Sequence, residues 1–294
     1  MSKILITGGT GLVGKRLTEL LVNKNHEVVI LSRSPQNKNE FKWDISKSYI
    51  DEKAFKNIDF IIHLAGAGIA DKRWTSKRKK EIIESRVKST DLLLSKVKEF
   101  KVPLKKFIST SATGFYGGVT SDKIFKEEDS ASTDFLGSVC EKWENAALQF
   151  KNGGIPVTIL RTGIVLSKKG GALEKMKTPI ISPLGSGKQY IPWIHIDDLC
   201  NMYINAIDTN LEGIYNAVAP EHHTSKSFSK LLAKSIKRPF LPIGVPSFLL
   251  KLIFGEMAVI LLQGSRISSD KIKKTEFNIQ FSSLQKALKV IFNN

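Results

Sequence analysis

Glycines at positions 8, 11 and 14, in the run Thr7-Gly8-Gly9-Thr10-Gly11-Leu12-Val13-Gly14, lie between a short apolar run and a helical pattern. That spacing suits a diphosphate. Gly8 permits a tight turn, Gly11 lets the backbone approach pyrophosphate oxygens, and Gly14 lets the helix lie close against a sheet. The unpaired N–H groups and dipole at the helix start supply the positive end. A glycine-rich turn without a ligand is the weaker reading, because the flanking strand and helix are what a dinucleotide site requires. About 20 residues further on, an Asp or Glu would bind both ribose hydroxyls of NAD. Here the chain reads Ser32-Arg33, and the next acid is Glu40. The planar fork of arginine matches a 2′-phosphate, and the serine hydroxyl adds a bond. These residues point to NADP(H); a solvated arginine at a strand end is the alternative.

Positioning such a site takes strands that alternate with helices, and the first half of the chain has that pattern. Strands are expected at Ile4–Thr7, Glu27–Leu31, Phe60–Leu64, from Phe107 into Ser109-Thr110-Ser111, and at Val157–Leu160. Helices are expected at Leu12–Asn23, about Ser76–Phe100, and around Phe135–Phe150. The fold class is therefore α/β, a doubly wound parallel sheet of Rossmann type with a smaller C-terminal substrate lobe. Beyond Arg161 the alternation weakens into Gly- and Pro-rich loops, with helices near Ile196–Ile207, Ser227–Ile236 and Ser282–Phe292. The expected division is 1–166 for the cofactor domain and 167–294 for the lobe, with some later elements returning to the main sheet.

Composition narrows the function classes. The 294 residues include 41% hydrophobic and 25% charged side chains, enough for a sizeable core. Two cysteines, Cys140 and Cys200, neither build a disulfide framework nor show metal-ligand spacing, so no metal and a reduced, cytoplasmic setting are expected. The net charge of +17 is scattered, densest at Lys72–Lys80, and no nucleic-acid-binding motif accompanies it, so no nucleic-acid partner is expected. No run reaches the length of a membrane span. Phe248–Leu262 comes closest but is broken by Lys251, Gly255 and Glu256. It reads as a buried helix pair; an interfacial membrane helix there would need a basic polar face.

The ordered motifs TGGTGLVG, HLAGAGIADKRW, SRVKST, STSATGFYGG, RTGIVLSKKGGAL, PLGSGKQYIPWIHIDDL, NAVAP and FGEMA resemble the atypical extended short-chain dehydrogenase/reductases known as epimerase family proteins. The resemblance spans nearly the whole chain, including the segment from about Gly244 to Ile291. It implies an NADP(H) site built from Gly8, Thr10, Gly11, Leu12 and Val13, with Ser32 and Arg33 at the adenosine phosphate. Leu64 and Ala65 would line the adenine and ribose side, or serve as core packing. Arg86, and Glu81 one turn earlier, are implied as further cofactor contacts; a solvated helix charge is the other reading of Glu81.

The catalytic residues of that superfamily are a Ser or Thr and a Tyr-x-x-x-Lys, whose lysine lowers the tyrosine pKa. Ser111 matches the serine; a structural strand-end hydroxyl is its other reading. With Glu144 aligned to the glutamate that commonly follows the lysine, Leu136 stands for the tyrosine and Cys140 for the lysine. Lys142 lies two residues further on, rotated by about 200° around a helix, and should face away. Cys140 is either a contact at the nicotinamide end or an inert buried thiol. Tyr116 and Asp134 remain as substitute acids.

The substrate segment departs as well. Ile191 occupies the place of the arginine that grips the diphosphate in the sugar-nucleotide enzymes. Lys188 could hold another anion, while Gln189 and Trp193 are pocket or packing residues. His195 and Asp197 are expected to secure the loop and cap the following helix. Two functions follow: an NADP(H)-dependent oxidoreductase or epimerase-like enzyme on a small substrate, or a non-catalytic NADPH sensor that acts through a partner.

Overall fold

A computed structural model describes residues 1–293. The main sheet is made from β1 (Lys3–Thr7), β2 (Glu27–Ser32), β3 (Glu40–Asp44), β4 (Tyr49–Ile50), β5 (Phe60–His63) and β6 (Lys106–Ala112). The short β7 (Ile124–Phe125) lies outside it; β8 (Val157–Thr162) is in it. Beyond come β9 (Ile164–Leu166), β10 (Trp193–His195), β11 (Gly213–Ala217) and β12 (Arg266–Ile267). Among the described residues the strand order is β11-β8-β6-β5-β1-β2-β3-β4. Every pairing in it is parallel except β3 with β4. Two short parallel pairs, β9 with β10 and β7 with β12, stand apart.

The helices are α1 (Leu12–Asn23), α2 (Ser76–Glu99), α3 (Phe135–Leu148), α4 (Ala172–Met176) and α5 (Ile196–Asp208). They continue with α6 (Ser225–Ser235), α7 (Ser247–Phe254), α8 (Val259–Leu262), α9 (Asp270–Lys273) and α10 (Leu284–Asn293). Strands buried on both faces read as near-continuous apolar runs, as Ile4-Leu5-Ile6 and Phe60-Ile61-Ile62 do. One core layer joins the sheet to α1 and α5, the other packs the sheet against α2 and α3. A third core, around Trp193, Phe228, Leu232 and Leu288, belongs to the lobe.

Strand order reverses between β1 and β5, the switch point at which open α/β sheets leave a crevice beyond the strand ends. β11 and α5, although they follow Leu166 in sequence, sit in the main sheet and its helical layer. Lys106 helps to hold them. Its buried ammonium donates to the carbonyls of Ala206 (2.7 Å), Thr209 (2.7 Å) and Leu211 (3.1 Å) at the end of α5. Asp198 of α5 accepts from the N–H groups of Gln280 and Phe281, 2.9 Å each, and so ties the C-terminal segment to α5.

Two elements differ from the sequence expectation. β3 and β4 form an edge that the sequence reading did not place: EFKWD alternates polar and apolar residues, but it is short, has only two apolar positions, and is fixed by its pairing with β2. The run Phe248–Leu262 is not a buried helix pair. Of α7 only Leu250 is buried, while Phe248 and Leu252 are 73% and 71% exposed. Gly255, at φ 60°, ends α7 and turns the chain away before it can fold its apolar side inward.

Candidate functional site

At the β1–α1 turn, Gly8 adopts φ 69° and lies against the end of β5. A Cβ there would fall 3.0 Å from the carbonyl carbon of Leu64 and 3.1 Å from the nitrogen of Ala65. A Cβ on Gly14 would lie 2.4 Å from the Gly8 oxygen, so only glycine lets α1 start so close to the turn. Gly11 is the N-cap of α1, with no side chain over the helix end, and Thr10 and Gly11 are exposed. Leu12 and Val13 pack their side chains on the core, and the first-turn N–H groups are left for a ligand. The cradle fits a dinucleotide diphosphate.

A buried polar chain fixes this turn from below. Ala65 N donates to Thr7 Oγ1 (3.2 Å), and Thr7 Oγ1 and His63 Nδ1 are 2.7 Å apart. On the other side of the ring, Nε2 lies 3.1 Å from Ser89 Oγ, whose own proton goes to the Ser85 carbonyl. The ring is therefore neutral with its proton on Nε2. Burial first, and the Arg86 charge second, pull the His63 pKa down to about 3.

At the end of β2, Ser32 Oγ accepts from Ser34 N (3.2 Å), and the exposed Arg33 has no carboxylate partner among the described residues. Lys42, opposite Ser32 on β3, reaches the Arg33 carbonyl with its ammonium. A second cation thus stands beside the arginine. Sequence reading missed it, because only the β2–β3 pairing brings a residue nine positions away alongside. Glu81 lies on the outside of α2, paired with Arg78 at 2.8 Å, which accounts for its charge without a ligand. Arg86 is turned inward and braces the loop after β5. Its Nη1 donates to the carbonyls of Ala67 (3.0 Å) and Ile82 (2.9 Å), and the guanidinium lies 4.8 Å over Trp143.

Leu136 and Cys140 share one face of α3 and meet at Gly114, where a Cβ would lie 3.6 Å from Leu136 Cβ and 3.7 Å from Cys140 Sγ. Lys142 is exposed on the outer surface between α2 and α3, with Ile83, Val87 and Asp91. The positions that would carry Tyr and Lys thus hold two apolar groups. Burial, and then Glu144, push the Cys140 thiol up to about 12, so it is neither nucleophile nor base near neutral pH.

Ser111, only 2% exposed, is committed to a buried network. Its hydroxyl donates to Glu144 Oε1 at 2.7 Å, and Glu144 receives both forks of Arg161 at 2.9 Å. Arg161 Nη1 donates to the Tyr116 hydroxyl (3.0 Å), which donates to Asn216 Oδ1 (2.7 Å). Tyr116 is thereby removed as a substitute acid, and burial raises its pKa to about 12. Asp134 is committed too: it caps α3 through Gly137 N and accepts from Gly118 N. A Ser111→Ala variant is expected to lose about 1.5–3 kcal/mol in urea unfolding, the range for a hydrogen bond to a charged group. An unchanged unfolding midpoint would show that the bond to Glu144 contributes nothing.

In the lobe, Trp193 is fully buried and donates its indole N–H to the Glu221 carbonyl (3.2 Å), which makes it packing and not pocket. Gln189 clamps two carbonyls, Leu184 (3.0 Å) and Leu261 (2.7 Å). Lys188 is exposed. His195 Nδ1 caps α5 by accepting from Asp197 N (3.2 Å), while Asp197 pairs with Arg16 of α1 at 2.6 Å. Among the described residues no group of three His, Cys, Asp or Glu is placed to hold a metal.

Residues 4–217 match the model of the NAD-dependent epimerase/dehydratase family. The chain belongs to that family. Within the epimerase/dehydratase family, residues 245–291 also match a domain of unknown function, DUF1731. The chain is 35% identical over 298 residues to Epimerase family protein SAR0825 of Staphylococcus aureus, covering 98% of each. It is 32% identical over 296 residues to Epimerase family protein SDR39U1 of Mus musculus, again covering 98% of each. The crystal structure of human epimerase family protein SDR39U1 with NADPH superposes with a TM-score of 0.90, at 30% identity and 99% coverage of both chains. The UDP-glucose 4-epimerase of Thermotoga maritima shares the family fold at 20% identity and a TM-score of 0.79.

Proposed function

We propose that the protein is an NADP(H)-binding oxidoreductase or epimerase-like enzyme acting on a small substrate without a Tyr-x-x-x-Lys pair. The observation that carries the cofactor choice is Arg33. It is exposed and, among the described residues, without a carboxylate partner at the end of β2, beside Lys42, where an NAD site would present an acid. Two cations there favour a 2′-phosphate, and the NADPH in the human SDR39U1 structure supports the same choice.

In this reading the α1 start and Gly8–Val13 hold the diphosphate, Ser32, Arg33 and Lys42 the adenosine phosphate, and Leu64 and Ala65 the adenine side. NADPH, when bound, supplies a hydride to an electrophilic carbon. Arg86 fixes the loop after β5, and Leu136 with Cys140 form a dry wall near the β6 end that excludes water. Lys188, on the exposed loop after Gly187, is the cation available to an anionic substrate. Ser111, held by Glu144, positions α3 against β6 in this account.

That same commitment of Ser111 favours a second reading, in which the protein binds NADPH and acts through a partner without turnover. Single-turnover mixing of bound NADPH with a metabolite panel, followed at the nicotinamide absorbance, separates the two: loss of absorbance establishes the enzyme. The cofactor assignment is tested by fluorescence titration. Arg33→Asp is expected to weaken NADPH at least about tenfold, one charge-assisted bond of about 1.5–3 kcal/mol, and to leave NADH nearly unchanged. Equal loss for both cofactors refutes the phosphate assignment.

A further inference from the structure

The apolar side of α7 is left uncovered among the described residues. Phe248 and Leu252 lie one turn apart and are 73% and 71% exposed, with Leu249 and Ile253 beside them. The strip that leads into α7 adds Ile243, 70% exposed, and Leu241, and it runs along residues 181–185 next to the exposed Ile180. Isolated exposed apolar residues are ordinary, but a cluster on consecutive turns and its lead-in strip marks an interaction surface. The platform beneath is firm. Leu250, Met257 and Ala258 are buried, and Arg73 donates to the Leu252 carbonyl at 3.3 Å.

The charge around this face is one-sided. From His222 to Gly255 the chain has no Asp or Glu, while Lys226, Lys230, Lys234, Lys237, Arg238 and Lys251 are all exposed. Lys226, Lys230 and Lys234 form a stripe at one-turn spacing on α6, and none has an acidic partner among the described residues. The two features adjoin. Arg238, just past α6, donates to the carbonyls of Lys177 and Thr178 (2.5 and 2.7 Å), and the α6 start lies against Gly187, two residues past the Gly185 that touches Ser247 of α7.

We propose that this face docks the protein on an anionic lipid bilayer, with Phe248 and Leu252 entering the headgroup–acyl boundary and the α6 lysines against lipid phosphates. Protruding apolar side chains flanked by lysines match that surface. A second copy fits poorly, because each carries +17 and brings the same basic flank to the contact. Nucleic acid has no use for aliphatic knobs without donors, and a small-molecule pocket would enclose its lining.

The full chain is pelleted with vesicles of phosphatidylcholine alone and of phosphatidylcholine mixed with phosphatidylglycerol. Binding is expected only to the mixed vesicles and to weaken with salt. Phe248→Asp with Leu252→Asp, at positions too exposed to threaten the fold, should lower partitioning at least about tenfold with an unchanged melting midpoint. Lys226→Glu with Lys230→Glu should lower it and flatten the salt dependence. Equal pelleting of wild type and the Phe248/Leu252 variant, or no pelleting with the mixed vesicles, overturns the proposal. So does a wild-type dimer in light scattering that the same variant converts to monomer.

Discussion

A Glu144→Leu variant is expected to lose about 3–5 kcal/mol of stability, because it strands the Arg161 guanidinium in the core. Arg161 and Glu144 are 2% and 4% exposed, and the carboxylate receives both guanidinium forks as well as the Ser111 hydroxyl. Removing one partner leaves a desolvated charge whose remaining contacts are the Tyr116 hydroxyl, the Glu127 carbonyl and the Phe115 ring. The double variant Glu144→Leu with Arg161→Met removes both charges and should regain much of that loss, since a buried pair exchanged for apolar groups is often close to neutral. Urea unfolding of the wild type, both single variants and the double variant closes the cycle. Purely additive losses would mean that the pair does not act as a unit. The same cycle read by NADPH titration tells whether the network also sets the cofactor site through β6 and α3.

Acid should unfold the protein through His63. Its folded pKa of about 3 lies below the ordinary value of 6.5, so above pH 6.5 both states are neutral and the full contribution is present. As pH falls below 6.5 the unfolded chain takes up the proton and the folded one does not. Stability then drops by about 1.4 kcal/mol per pH unit, until the folded ring protonates near pH 3. His63→Leu removes this proton linkage. It also costs about 1–3 kcal/mol at neutral pH, because Thr7 and Ser89 lose their ring partner. Urea midpoints from pH 7 to pH 4 should therefore fall less steeply for the variant, by one proton's slope. Parallel curves would remove His63 from the acid limb.

Much of the architecture was legible in the sequence. Ile4–Thr7, the glycine turn and Leu12–Asn23 carry a strand period, a turn signal and a helix period in immediate succession, and β1 and α1 occupy those positions. Local pattern suffices there, since each element is specified by its own residues. β3 escaped because its place depends on β2, and α7 was misjudged because apolar composition does not say which neighbours are available to cover it. At the site, the register that set Leu136 and Cys140 in the Tyr and Lys places agrees with the face on which they meet Gly114, and Lys142 points outward. The resemblance set that register through Glu144, and the helical period then turned Lys142 away from it.

The sequence by itself determined the glycine turn, the arginine in place of an acid, and the missing tyrosine and lysine, because these are matters of residue type and short spacing. Only the tertiary structure decided what the polar side chains do. Ser111, Tyr116 and Asp134 each read as a catalytic candidate in one dimension. In three, Glu144 and Asn216 hold the two hydroxyls, while Asp134 caps α3 and holds the Gly118 N–H. Partners 33 and 100 residues away are brought together by strand order, and a buried polar group bonds to whatever donor or acceptor the packing supplies.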